Sequence, residues 1–413
     1  MNKNTQMRIN HIVTSRQGGA YIAAKTLHLG LLEHGKDSRL YTRNLNIGEV
    51  VNLGEEPGDL SVMSKFRSKT VTALQARCVQ KERELITTFG IDVFFQRNAI
   101  QSNSIIHIHS IYNFLNSRAL KELVEQDHSL ILQLHDQRFF TGGCHNDLGC
   151  EAFKRDCTKC PQVHSVFHHF VTKEKKIMNW ILGQRRVHVV APSKYLFEKA
   201  SSVVPENRLH LIPNLTGGMQ TAEGFQRVEV RERLKLNPSD FVLGFCAANI
   251  DSPYKNFEYF KVLIKEIKKI WIKELPKLKI MLVGNGGEEF HDENLIRFSS
   301  ANGMEVREHL AAMDLLLVPS KADNVPNVIV EALLEGTPVL ATRVGGIPDL
   351  LDHLGGDVFL TGDPILDSKI ILEYTNFDQR DSIKKKSNLR FDQERVINAY
   401  VELYDLVSTK GIA

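Results

Sequence analysis

The stretch that decides the fold is PSKADNVPNVIVEALLEGTPVLATRVGGIPDLL, residues 319–351. After a preceding apolar run, a polar loop carries Asp323, and Pro326 suits the first turn of a helix that starts near Asn327. We expect this helix to stop at Gly336, where glycine can form a left-handed cap, before the next apolar run begins. The order strand, loop, helix, strand is the unit from which parallel sheets with covering helices are built.

The same alternation of short apolar runs and amphipathic helical stretches extends along both halves of the chain. Runs in the second half, such as LKIMLVG and DLLLVPS, are almost continuously apolar, as expected for parallel strands covered on both faces. Two such series predict an α/β protein with two Rossmann-like domains, whose ligands bind in a cleft at the carboxyl ends of the strands. We expect the domains at 1–208 and 209–390, followed by a helix at 391–413 that packs back towards the first domain.

Composition narrows the class of protein. The 413 residues are 42% hydrophobic and 24% charged, which suits a soluble globular protein of two ordinary domains. A net charge of +3, from 52 basic against 49 acidic residues, argues against nucleic-acid binding by the whole protein. The N-terminal MNKNTQMRIN lacks the apolar core of a secretory signal, and no run of about 18 apolar residues is present to span a bilayer. We therefore expect a cytoplasmic protein.

The loop and helix of residues 319–351 form a candidate phosphate site. The helix N-terminus would expose the amides of Asn327 and Val328 at its positive end. Glu331, about one turn further on, could reach polar groups attached to a phosphate, and Asp323 could face whatever that phosphate carries. On these residues alone, a solvated loop acid and a glutamate that favours the helix dipole explain the pattern equally well.

Context separates these alternatives, because the segment resembles the signature of the retaining family 4 glycosyltransferases of GT-B fold. Its components are two acids eight residues apart, a GTPV strand at 336–339 and a GGIPD turn at 345–349. The resemblance continues through APS at 191–193, IPN at 212–214 and LVGNG at 282–286. A glycine pair after the first strand and a His-Asp pair after SLILQL extend it over nearly the whole chain.

The resemblance implies transfer of a sugar from a nucleotide diphosphate sugar, UDP- or GDP-linked, in the synthesis of bacterial surface polysaccharide such as capsule or O-antigen. By this likeness Glu331 would bind the ribose and Asp323 the donor sugar, while Lys255 would offset charge on the leaving phosphate. No catalytic metal is implied. The remaining donor contacts would come from Asn327 and Val328 in one domain and from Gly18 and Gly19 in the other.

Two positions depart from the family pattern, and one histidine follows it. Asp323 stands where the family usually has glutamate, and Asn249 lies nearest to the place of an arginine that the family commonly has. His135 corresponds to a family histidine beside the donor sugar and the acceptor, although a lone histidine is more often a structural residue. His107 and His109 lie at alternate positions of another predicted strand end, and we assign them no metal.

Four of the six cysteines lie within residues 141–162, directly after the His-Asp pair. Their spacing permits a structural Zn²⁺ with four thiolates, a closed site that would clip the loop beside the chemistry. Free thiols are one alternative, disulfides are a less favoured one in a reducing compartment, and His145 or His164 could replace a cysteine. A TGGCH stretch ending in CPQ also resembles a subgroup of these transferases that builds bacterial surface polysaccharide. The four cysteines are Cys144, Cys150, Cys157 and Cys160.

The acceptor is the least determined part of the prediction. Basic, partly apolar stretches at 65–83 and 166–186 suit either a solvated helix or contact with anionic lipid. The expected acceptor is a saccharide or a lipid-linked saccharide, with peripheral contact at the inner face of the cell membrane in the second case. A nucleotide-sugar epimerase of the same fold and a non-catalytic zinc-containing binding protein are the competing hypotheses.

Overall fold

The chain folds into two compact units, which we call unit 1 and unit 2. Unit 1 comprises Met1–Leu215 together with Gln393–Ala413, and unit 2 comprises Thr216–Asp392. The basic stretch at 65–83, apart from Cys78, lies outside the residues described below. The computed structural model describes residues 7–14, 18–42, 50–52, 78, 104–111, 115–215, 225–273, 275–299, 303–352, 354 and 358–410.

Unit 1 is built around one parallel sheet. Its described strands are β1 (Ile9–Val13), β2 (Ser38–Thr42), β3 (Val50–Asn52), β4 (Ile105–Ile108), β5 (Ser129–Gln133), β6 (Val187–Ala191) and β7 (Leu209–Leu211). They lie in the order β3-β2-β1-β4-β5-β6-β7, and every pair is parallel. The order reverses between β1 and β4, and in sheets of this class ligands bind at the carboxyl ends of the strands beside such a reversal.

Helices cover this sheet because its central strands are buried on both faces. Every residue of β4, β5 and β6 is buried, so each face needs a covering layer. Side-chain caps begin two of the helices: Asn116 accepts a hydrogen bond from the Ala119 amide, and Ser193 accepts one from the Leu196 amide. The described helices are α1 (Gly19–Glu33), α2 (Ser117–Glu125), α3 (His168–Gly183) and α4 (Lys194–Ser201).

Unit 2 repeats the architecture with a second parallel sheet. Its described strands are β8 (Phe241–Asn249), β9 (Leu278–Asn285), β10 (Leu295–Phe298), β11 (Leu315–Val318), β12 (Val339–Thr342) and β13 (Phe359–Leu360). Their order is β10-β9-β8-β11-β12-β13, again parallel throughout, so the reversal lies between β8 and β11. The described helices are α5 (Arg227–Arg233), α6 (Phe257–Ile270), α7 (Gly303–Ala312), α8 (Asn327–Leu334), α9 (Ile347–Leu351), α10 (Pro364–Glu373) and α11 (Arg380–Arg390).

The last helix, α12 (Gln393–Lys410), returns to unit 1 and packs against α1 and β4. Ile397 lies so close to α1 that a Cβ added to Gly30 would sit 2.4 Å from its Cδ1 atom. The predicted domain boundary at 208/209 needs correction, because β7 follows it and pairs with β6 of the first sheet. The division falls after Leu215.

The predicted α/β class, with two domains built on parallel sheets, is confirmed. In the part of the chain that the structure describes, no helix combines the length and the apolar character needed to cross a membrane.

Candidate functional site

The loop after β11 is held in place from two sides. The Lys321 amide donates a 2.7 Å hydrogen bond to the carbonyl of Tyr254, which ties this loop to the one that follows β8. Gly345 packs on the loop from the other side: its φ is +56°, and an added Cβ would lie 1.6 Å from the carbonyl oxygen of Asp323. The Gly346 amide donates to that same oxygen at 3.3 Å. Only glycine allows this approach, so the GGIPD turn fixes the backbone at Asp323.

Asp323 and Lys255 form an ion pair at this edge of the sheet. The Lys255 Nζ atom lies 2.6 Å from Asp323 Oδ2, with side-chain exposures of 31% and 13%. The two residues come from the loops after β8 and β11, which are the strands that flank the reversal of the sheet. The structure therefore brings together two residues that the sequence analysis predicted for one site.

The N-terminus of α8 lies on the same loop. Asn327 is its first residue, as expected, and Pro326 precedes it with an extended ψ of 112°. The first amides of a helix have no partner within it, so those of Asn327 and Val328 are available at the positive end. The Asn327 Nδ2 atom is buried and has no hydrogen-bond partner within the described part of the chain, which adds a third donor at this point. Such a set of donors suits an oxyanion.

Glu331 lies one turn into α8 and is 6% exposed. Burial raises the pKa of its carboxyl to about 7, against an opposing effect of the Arg307 charge. The Cys246 thiol on β8 lies near enough that Glu331 raises its pKa and Lys255 lowers it, although burial is the main cause of its upward shift. Arg307 and Cys246 were missed by the sequence analysis, because neither lies in a recognisable motif.

The other predicted donor residues are engaged in local structure. Asn249 is exposed at the end of β8, where its Oδ1 atom accepts a 3.1 Å hydrogen bond from the Asp251 amide. Gly18 has a φ of 86° and immediately precedes α1, which begins at Gly19. A side chain at Gly18 would meet no atom of the described residues within 4 Å, so the positive φ is the reason for glycine at that position.

His135 lies in unit 1, two residues beyond β5, and is mostly buried. Its Nε2 atom is 3.2 Å from Nδ1 of His109, which follows β4. Removal of water from the ring lowers the pKa of His135 to about 4, so it is neutral at pH 7. The neighbouring Asp136 binds Nδ1 of His145 through Oδ2 at 2.6 Å and accepts the Arg138 amide through Oδ1 at 2.8 Å.

The four clustered cysteines surround one small cavity of about 10 Å³, which also contacts Thr141, Phe153 and Gln162. That volume is close to the space of a single water molecule or ion. The Gln162 Nε2 atom lies 3.4 Å from the Cys144 sulfur, and burial raises the pKa of Cys157 to about 11. No disulfide joins any of the described cysteines. Those lining the cavity are Cys144, Cys150, Cys157 and Cys160.

His145, proposed as a possible replacement for one cysteine ligand, already has a hydrogen-bond partner at each ring nitrogen. Nδ1 faces Asp136, and Nε2 lies 3.0 Å from Nη2 of Arg138. His145 thus belongs to the hydrogen-bonded turn after β5.

Comparison with known protein families gives a match that lies within unit 2. Residues 240–365 match the family model described as glycosyl transferases group 1. This segment contains Asn249, Lys255, Asp323, Glu331 and the start of α8. A relative from Escherichia coli K12, named provisionally as the colanic acid biosynthesis glycosyl transferase WcaC, is 24% identical over 267 residues. The alignment covers 61% of this chain and 63% of that relative, so the chain spans less than two thirds of its length.

Solved structures extend the similarity to both units. The Anabaena protein HepE, solved in complex with UDP and glucose, superposes with a TM-score of 0.60 at 16% identity, over 97% of this chain and 99% of its own. Sucrose-phosphate synthase from Thermosynechococcus elongatus gives a TM-score of 0.65 at 14% identity, over 98% and 100% of the two chains. The chain therefore has the two-domain α/β fold of GT-B type, and it has relatives in bacterial polysaccharide synthesis.

Proposed function

We propose that this protein is a retaining glycosyltransferase of family 4 that moves a sugar from a UDP- or GDP-linked donor to a saccharide or lipid-linked saccharide in bacterial surface polysaccharide synthesis. The observation that carries the proposal is the meeting of Lys255, Asp323 and the α8 N-terminus at the carboxyl edge of the unit 2 sheet. The family match over residues 240–365 and the presence of UDP in the HepE structure support it.

In this proposal the nucleotide diphosphate lies against the start of α8. The amides of Asn327 and Val328 and the unpartnered Nδ2 of Asn327 donate to its phosphate oxygens. Glu331, one turn further into the helix, binds the ribose hydroxyls. A carboxyl with a pKa of about 7 can accept a hydrogen bond when ionised and can also donate one when protonated, which suits a pair of hydroxyl groups.

Lys255 supplies the positive charge that the reaction needs. Departure of the nucleotide diphosphate builds negative charge on the leaving oxygen, and a fixed cation lowers the energy of that transition state. In the structure Asp323 holds the Lys255 ammonium at 2.6 Å, which keeps it near the phosphate position. Asp323 also faces the donor sugar, and its side chain, shorter than the family's usual glutamate, shifts or weakens the contact to that sugar.

The test is nucleotide binding followed by product analysis. UDP, GDP and their sugar conjugates are titrated by thermal shift, where a ligand at 100 times its dissociation constant stabilises by about 2.7 kcal/mol. We expect one diphosphate to bind selectively and Glu331→Ala to weaken its affinity at least tenfold. The matched control is Glu373→Ala, an exposed acid of the same unit. Equal affinity in the two variants would refute the assignment of Glu331.

Product analysis separates the transferase from its competitors. A retaining transferase joins the sugar to an acceptor with the anomeric configuration of the donor, which proton NMR of the product reveals. An epimerase would release a changed sugar without an acceptor, and a binding protein would release none. Either result would overturn the proposed reaction while leaving the nucleotide site intact.

We further propose a structural Zn²⁺ bound by the four cysteines of residues 141–162. The support is that all four line one cavity of about 10 Å³, which Phe153 of the unit 1 core also lines. Four thiolates leave no open coordination position, so the ion would hold the loop after His135 in shape and would take no part in transfer.

Metal analysis of protein purified without added zinc tests this site. We expect about one zinc per chain, lost in Cys157→Ser and retained in the control Cys246→Ser, which lies in the other unit. Zinc-free protein whose four thiols all react with a thiol reagent would refute the proposal.

A further inference from the structure

A chain of hydrogen-bonded histidines crosses unit 1 and ends at His135. Nδ1 of His11 lies 3.1 Å from Nε2 of His109, and Nδ1 of His109 lies 3.2 Å from Nε2 of His135. His11 is on β1 and is 0% exposed, and His109 follows β4 and is 2% exposed. This histidine chain therefore crosses β1 and β4, the two strands between which the order of the sheet reverses.

His107 lies beside this chain with partners of its own. Its Nδ1 atom is 2.7 Å from the Tyr404 hydroxyl, and its Nε2 atom is 3.2 Å from Oε1 of Gln133. Since an amide oxygen only accepts, His107 carries its proton on Nε2, and the Tyr404 hydroxyl donates to Nδ1. The Tyr400 hydroxyl donates to the same Gln133 oxygen at 3.0 Å.

The three buried histidines do not need a metal to explain their proximity. The ring nitrogens of His11, His107 and His109 lie within 4.8 Å of one another, a spacing that an ion could bridge. Both nitrogens of His107 and both of His109, however, already take part in hydrogen bonds, as does Nδ1 of His11. A metal would have to break those bonds, so the hydrogen-bonded chain is the better account of the cluster.

Because His109 carries a single ring proton, its hydrogen bond to His11 and its hydrogen bond to His135 are coupled. Burial lowers the pKa of His109 well below its ordinary value, so the ring is neutral at pH 7 and carries one N–H. If that proton is on Nδ1, His109 donates to His135 and must accept from Nδ1–H of His11. If it is on Nε2, both bonds reverse, and His135 must donate from its Nε2–H. The single ring proton of the neutral His135 is therefore on Nδ1 in the first arrangement and on Nε2 in the second.

His11, at the far end of the histidine chain, decides between the two arrangements of the protons. Among the residues that the structure describes, Nε2 of His11 is buried without a hydrogen-bond partner. In the first arrangement this atom is a bare acceptor, and in the second it is an N–H donor left without an acceptor. Buried unpaired N–H groups are rarer in proteins than under-satisfied acceptors, so the first arrangement is favoured.

We propose that His109 is a positioning residue which, backed by His11, keeps the proton of His135 on Nδ1, so that His135 donates a hydrogen bond to an oxygen of a bound saccharide. Among the residues that the structure describes, Nδ1 of His135 has no partner, which leaves it for a ligand. The inference rests on the proposed function for the identity of the ligand. The arrangement of the proton is a property of unit 1 alone and can be tested without any transfer activity.

The direct test is ¹⁵N NMR of protein labelled at histidine, in which the shifts of the two ring nitrogens show which one is protonated. The His135 signal is assigned by its loss in His135→Gln. At pH 7 we expect the His135 proton on Nδ1 in the unmodified protein and a mixture of both forms in His109→Leu. The matched control is His188→Leu, which breaks another histidine pair of the same sheet, in which Nδ1 of His188 lies 2.9 Å from Nε2 of His210.

A second variant keeps the test decisive if His109→Leu does not fold. His11→Phe keeps an aromatic ring at this position and removes both ring nitrogens, including the one that bonds His109, and we expect the same shift towards a mixture. A proton on Nε2 of His135 in the unmodified protein would overturn the proposal. So would an unchanged His135 signal in both variants.

Transfer kinetics then test the hydrogen bond to the ligand. The amide nitrogen of asparagine can occupy the place of Nδ1, whereas that of glutamine reaches the place of Nε2. We expect His135→Asn to keep kcat within about threefold and His135→Gln to lose about tenfold. Equal losses in the two variants would refute a donor at Nδ1. If the unmodified protein bound no nucleotide, the proposed function would fail, whereas the NMR result would still decide the role of His109.

Discussion

Glu331 illustrates how burial changes the chemistry of a single residue. A carboxylate at the start of a helix is ordinarily favoured by the helix dipole and keeps a low pKa. Here the side chain is 6% exposed, and loss of water outweighs both the dipole and the Arg307 charge, so the pKa rises to about 7. The folded protein therefore holds a proton on Glu331 that the unfolded chain releases at lower pH.

This difference predicts how Glu331→Gln changes stability with pH. A raised carboxyl pKa destabilises the fold as pH rises from the unfolded value of 4.5 through about 7, where the buried group must ionise. Glutamine removes that cost, which amounts to at most about 3 kcal/mol at 1.36 kcal/mol per pKa unit. We expect Glu331→Gln to unfold at higher urea than the unmodified protein at pH 8 and at nearly the same urea at pH 5. An equal difference at both pH values would contradict the raised pKa.

The loops between strands and helices decide the site at the scale of elements. The loop after β11 carries Asp323, the loop after β8 carries Lys255, and the turn after β12 packs on the first of these through Gly345. Three segments that follow three adjacent strands thus support one another. The position of each functional group depends on the backbone of its neighbours more than on its own loop.

Gly345→Ala tests this mutual support. A Cβ would lie 1.6 Å from the Asp323 carbonyl oxygen at a φ of +56°, so the turn and the acid loop must separate. We expect a loss of about 1–3 kcal/mol in stability, in the range for strained backbone, and weaker nucleotide binding. Gly362→Ala is the matched control, because its φ is +87° and its added Cβ would meet no atom within 4 Å. The prediction fails if both variants bind nucleotide equally well.

Features that depend on a few consecutive residues could be predicted from the sequence, whereas contacts between residues distant in the sequence could not. The strand and helix pattern, the helix start at Asn327 and the acid loop could be predicted, because each is encoded within a few consecutive residues. Cys246 and Arg307 approach Glu331 only through packing of β8 and α7 against α8, which no local pattern records. The boundary at 208/209 missed β7, since a three-residue strand gives little periodic signal.

At the scale of the whole molecule, the course of the chain links the two units. Unit 2 is formed from one continuous segment, whereas unit 1 is completed by α12, which follows unit 2 in the chain. Tyr400 and Tyr404 of α12 are buried at 2% each and bind Gln133 and His107 of the first sheet. The core of unit 1 thus includes side chains from both ends of the sequence.

A charge placed on the buried face of α12 should therefore unfold unit 1 selectively. Ile397 is 2% exposed against α1, and Ile397→Asp would bury an unpaired carboxylate there. We expect calorimetry to show the transition of unit 1 at a temperature lower by ten degrees or more, with the transition of unit 2 nearly unchanged. Leu406→Asp, on the same helix at 36% exposure, is the control and should change neither by much. Equal shifts of both transitions would show that the units unfold together.

The return of α12 also sets an order of events during synthesis. All of Thr216–Asp392 is synthesised before the segment that covers β4 and α1. At about 5–20 residues per second, that interval lasts roughly 10–35 s. During it His107 and the neighbouring apolar surface of unit 1 stay uncovered. Chaperones accordingly have the most surface to bind on the nascent N-terminal half, before α12 is made.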